Sequence, residues 1–178
     1  MYGALVGRGF GIVALLILSW KVLARGLAPI FPGIVLGILD NADLIFHEAG
    51  HILLSPFGEF LTIFGGSLMQ IVIPVTCTVY FWLYEQRASS AVALFWTGQS
   101  IANVAIYVAD ARRMELPLID GDHDWNYLLE RLNLLNRAES LGRFVFIVGV
   151  LTILIALILL IADLLRCWNE SEEDEEIA

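Results

Sequence analysis

Two histidines four residues apart, with a glutamate between them, are the residues in this chain best suited to chemistry: His47-Glu48-Ala49-Gly50-His51. On a helix, positions four apart lie one above the other, so both imidazoles can reach one metal ion. Glu48 sits one residue round from His47, where its carboxylate reaches a water on the metal rather than the metal itself. The spacing supplies two ligands and a general base. The bland alternative is two interfacial histidines beside a solvated glutamate. The apolar flanks Leu44-Ile45-Phe46 and Ile52-Leu53-Leu54 weigh against it, because unpaired ionisable groups are costly there.

A catalytic zinc usually takes three protein ligands and keeps one position open. The only other histidine is His123, inside the acidic loop Ile119-Asp120-Gly121-Asp122-His123-Asp124-Trp125. Imidazole suits zinc, and neighbouring carboxylates can orient the ring. Asp and Gly clusters are also ordinary turn chemistry. Beside an HExxH that lacks a third ligand, metal binding is the stronger reading.

The elements that must position these groups are helices in a bilayer. The 178 residues are 58% hydrophobic and 16% charged, and the mean hydropathy is +0.77, which excludes an ordinary soluble domain. Gly9 to Leu27, Phe60 to Tyr84, Ala91 to Ala109 and Leu141 to Leu165 are each long enough to span. Ile34 to Leu39 and the HEAGH helix are separated by Asp40, Asn41 and Asp43. Neither half alone reaches spanning length, so a re-entrant or partly immersed helix is expected, with Asp40 or Asn41 as its cap and Ser55-Pro56 and Gly58 at its end. A short amphipathic helix is expected from about Trp125 to Asn136, with Leu128, Leu129, Leu132 and Leu135 on one side. The fold class is therefore all-α: a polytopic membrane protein of about four spans, the HExxH helix and the amphipathic helix. Residues 1–168 form one integral-membrane domain, with the zinc site drawn from 40–55 and 110–126.

Six of the nineteen acids fall in the last nine residues, so the formal charge of -9 reports mainly a tail, 169–178, expected to be solvated and disordered. No basic patch interleaved with aromatics points to nucleic acid. Cys77 and Cys167 lie in apolar runs without ligand-spaced partners and read as small hydrophobes. The first apolar run lacks a small-x-small cleavage site and reads as a retained helix. Gln99, Asn103 and Tyr107 recur every four residues, with Asp110 three further on. Such a stripe faces the protein interior or a cavity. The last span has no such stripe and reads as a lipid-facing structural helix. Lys21 and Arg25, with Arg112, Arg113, Arg131, Arg137 and Arg143, outnumber Arg8, Arg87 and Arg166. The positive-inside tendency then puts both termini outside, and HEAGH and the acidic loop together on the cytoplasmic side.

An HExxH in an apolar helix, a following Gly65-Gly66-Ser67 and a later Pro117-Leu118-Ile119-Asp120-Gly121 resemble the site-2 protease group of intramembrane metallopeptidases. The resemblance implies His47 and His51 as zinc ligands, Glu48 as the base and Asp120 as third ligand. The family's Leu-Asp-Gly opens a membrane helix and has an Asn-Pro before it. Here an Ile-Asp-Gly stands in a charged loop, and the Asp-His-Asp-Trp run looks like a distinct branch. His123 is therefore expected as the third ligand, with Asp120 as the alternative.

The expected function is intramembrane zinc-dependent peptide hydrolysis. Glu48 activates water, Gln99, Asn103 or Gln70 bonds the substrate backbone or oxyanion, and a membrane protein is the substrate. Two other classes use the same residues: a zinc-dependent hydrolase of a lipid or small amide, and a non-catalytic subunit with a structural zinc.

Overall fold

The computed structural model describes residues 2–28, 33–116 and 123–177. They form α1 (Tyr2–Arg25), α2 (Ile34–Leu54), α3 (Glu59–Leu83), α4 (Arg87–Asp110), α5 (Asp124–Arg131) and α6 (Ala138–Ile177), with 3-10 turns at Ser55–Phe57 and Leu135–Arg137. No strand occurs among the described residues. The protein is all-α, and α1, α3, α4 and α6 are long and apolar enough to cross a membrane.

α4 is the central helix. Its most apolar stretch is 72% buried, against 17% to 28% for the other three. The cause is composition: Ser90, Ala91, Ala93, Gly98, Ser100, Ala102, Ala105 and Ala109 leave its surface nearly flat, so neighbours pack on several sides. α6 lies closest. A Cβ on Gly98 would stand 2.8 Å from the Gly149 carbonyl oxygen, and one on Gly149 would stand 2.8 Å from the Ala102 nitrogen. α6 keeps most of its apolar surface exposed, in keeping with a lipid-facing helix, and also packs one face on α4. Gly142, Gly149, Ala156 and Asp163 recur every seven residues and form its buried face, with Ile153 and Leu160 between them. Asp163 ends that face in an ion pair with Arg8 of α1 at 2.6 Å, which joins α1 to α6 away from the histidines. α6 also runs on to Ile177, through the stretch expected to be disordered.

α2 is one continuous helix, and Asp40 and Asn41 cap nothing. Asn41 Nδ2 donates back to the Gly37 carbonyl at 2.7 Å, while Asp40 and Asp43 reach out to other helices. Tertiary partners took the carboxylates that local chemistry offered to a cap. Its end is as expected: Ser55–Phe57 forms the turn, and Gly58 follows at φ 94, a left-handed value that a side chain would disfavour. α5 is shorter than expected, and Leu132, just beyond it, is exposed while Leu128 and Leu129 are buried.

Candidate metal centre

The centre begins with a backbone contact. α2 and α3 cross where Gly50 meets Gly65, so closely that a Cβ on Gly50 would collide with the Gly65 carbonyl oxygen. One residue on, a Cβ on Gly66 would lie 2.6 Å from Nε2 of His47 and 2.6 Å from Nε2 of His51. The absent side chain of Gly66 is thus the space in which both imidazoles end.

Asp124 closes the group. Its Oδ2 stands 2.8 Å from His47 Nε2 and 3.4 Å from His51 Nε2. His51 Nδ1 lies 2.9 Å from the Thr62 carbonyl oxygen. A carbonyl only accepts, so Nδ1 carries the proton and, in the neutral ring, Nε2 turns its lone pair towards the group. The three ligand atoms lie within 4.8 Å of one another and can hold a metal ion. Among the described residues no fourth His, Cys, Asp or Glu joins them.

His123 is not in this group. It is the N-cap of α5: its Nδ1 accepts from the Asn126 backbone N–H at 3.3 Å, and so its Nε2 carries the proton. That nitrogen lies 3.4 Å from Asp110 Oδ2 in a buried site but makes no hydrogen bond. Asp110 in turn accepts from the backbone N–H groups of Glu115 and Leu116 at 3.1 and 3.0 Å. His123 thus caps α5 beside the end of α4, and the next residue, Asp124, faces the histidines. Asp120 lies outside the described residues. Asp124 was legible only as one carboxylate among several.

α5 is fastened by its own side chains. Trp125 Nε1 donates to Ser67 Oγ at 2.9 Å, next to Gly66, and Asn126 Nδ2 donates to the Ala111 carbonyl at 2.7 Å. This explains why the small polar Ser67 follows the two glycines. A cavity of about 830 Å³ opens beside the group, and Glu48, exposed, forms part of its wall. Gln70, Asn103 and Tyr107 also line it, and Gln70 Nε2 donates to Asn103 Oδ1 at 3.0 Å. The polar stripe of α4 therefore faces inward. Its upper member does not reach this cavity: Gln99 Nε2 donates to Asp40 Oδ1 at 2.7 Å.

Fold and site together define a helical protein with four potential spans and a His-His-Asp group at the wall of a polar cavity. No family model, curated protein or solved structure matches the chain.

Proposed function

We propose that this chain is an intramembrane zinc-dependent metallopeptidase, in which His47, His51 and Asp124 hold the metal and Glu48 is the general base. The observation that carries the reading is the convergence of two imidazole nitrogens and one carboxylate oxygen on the wall that also bears Glu48. Two nitrogens and an oxygen suit zinc, and three protein ligands leave a position for water. When bound, zinc supplies Lewis acidity and brings the pKa of water towards neutrality.

Glu48 takes a proton from the attacking water and passes it to the leaving amine nitrogen as the C–N bond breaks. Asn103 and Tyr107 offer an amide N–H and a phenol O–H from the cavity wall to a substrate carbonyl. His51 keeps its ring orientation through Thr62, and the Asp124 carboxylate is set by the docking of α5. A helical substrate must unwind to expose a peptide carbonyl to this wall.

The test is Glu48→Gln, which preserves shape but accepts no proton at neutral pH. The variant is expected to keep its zinc, measured by metal analysis, and to lose about 10²–10⁴-fold of hydrolysis. Full complementation by this variant in cells lacking the native chain would remove the catalytic reading. The site is proposed to face the cytoplasm on the charge asymmetry of the loops. In a chain freed of Cys77 and Cys167, a cysteine at Ser171 should label from outside intact cells and one at Met114 should not.

A further inference from the structure

α2 carries the two histidines, yet its outward residues Ile38, Ile45 and Ile52 are exposed and contribute nothing to holding it. It meets α3 at the close glycine crossing and through His51, whose Nδ1 donates to the Thr62 carbonyl. Its hold on α4 is apolar at Leu36, in one core with Phe95 and Ala102, and at Phe46, whose ring lies 6.0 Å from that of Trp96, and polar between them. Asp43, 1% exposed, accepts at the same oxygen, Oδ1, from Trp96 Nε1 and Ser100 Oγ, both at 2.8 Å. One turn earlier Asp40 accepts from Gln99 Nε2 at 2.7 Å and from Arg25 Nη1 at 2.8 Å. Asp40, Asp43, His47 and His51 follow each other at steps of three and four, so they share one helical face. Asp124 reaches the group on α5, which is fastened to α3 and α4. The geometry of the group therefore depends on how α2 is turned and seated against those two helices.

We propose that Asp43, assisted by Asp40, is a positioning residue for the metal centre: its two directional hydrogen bonds to α4 set the rotation and depth of α2, and so bring His47 and His51 to Asp124. The proposal rests on the metal-binding reading above. The carboxylate acts through its acceptor Oδ1, so an amide in its place should serve, whereas alanine leaves the half-buried Trp96 N–H and the buried Ser100 O–H without this partner.

The experiment is a Co²⁺ titration of the purified full chain in detergent, read by ligand-field absorption, with helicity and elution profile checking the fold. Asp43→Ala is expected to stay helical and monodisperse, to bind Co²⁺ about 10–100-fold more weakly and to show an altered band shape. Asp43→Asn is expected to restore both affinity and spectrum. The pair Trp96→Phe with Ser100→Ala removes the donors on α4 and leaves the acid, and it should reproduce the alanine result even if Asp43→Ala fails to fold. Parent-like affinity and spectrum in a folded Asp43→Ala, or in the donor pair, would overturn the proposal. So would an asparagine variant as impaired as the alanine one. A parent chain that binds no Co²⁺ would instead overturn the metal centre itself.

Discussion

Two helix crossings in this molecule use the same device for different ends. At α4–α6, Gly98 meets Gly149, and the surroundings are Ala102, Ile153 and Ala156, all apolar and buried. At α2–α3, Gly50 meets Gly65, and the next glycine faces two imidazole nitrogens. In both, the missing side chains let backbones touch, the usual route to close packing where lipid tails are as apolar as the core. The first crossing yields cohesion. The second yields cohesion and, one residue further, room for two imidazole nitrogens to meet. Glycine there is a requirement of the site as much as of the packing.

The largest expected difference comes from the ligands. His47→Ala or His51→Ala should abolish zinc retention, and Asp124→Ala should weaken it severely, while the α4–α6 crossing and the helical content stay as they were. Metal analysis beside circular dichroism reads both, and zinc unaffected by all three changes would remove the centre.

Next come the glycines. Gly66→Ala places a methyl 2.6 Å from both Nε2 atoms, so it should remove metal binding by displacing the rings. Gly98→Ala places one 2.8 Å from the Gly149 carbonyl and from the Ile153 nitrogen, where backbone must give way. A loss of roughly 1–3 kcal/mol is expected there, with metal affinity retained in the folded fraction. Denaturant titration in detergent combined with metal analysis separates the two. Equal effects on both readouts would mean that the crossings are not distinct in role.

The smallest effect sharpens the boundary between ligand and support. His123→Ala removes an N-cap and a contact with Asp110, and should cost about 0.5–2 kcal/mol of stability. Zinc should remain bound, because the proposed third ligand is Asp124. Zinc lost with His123→Ala and kept with Asp124→Ala would reverse that assignment.

The HEAGH pair, the spans and the inward polar stripe were legible because each is set by spacing along one helix, and spacing is what a sequence records. The small-residue stripe at Gly142, Gly149, Ala156 and Asp163 was equally available in the order of residues, masked by the Ile, Leu and Val between its members. What tertiary structure alone decided is which of two adjacent residues reaches the histidines. His123 is extended at the N-cap and Asp124 is the first helical residue, so the two side chains point in different directions. Which of them turns towards α2 is fixed by the seating of α5 on Ser67 and Ala111, far away in sequence. Asp40 tells the same story: a carboxylate beside an expected helix start suits a cap or a distant donor equally well. Only the presence of Gln99 and Arg25 within 2.8 Å made the choice. The sequence determined that two imidazoles share a face in an apolar helix. The fold determined what meets them there, because a third ligand is a contact between helices and no local rule can name it.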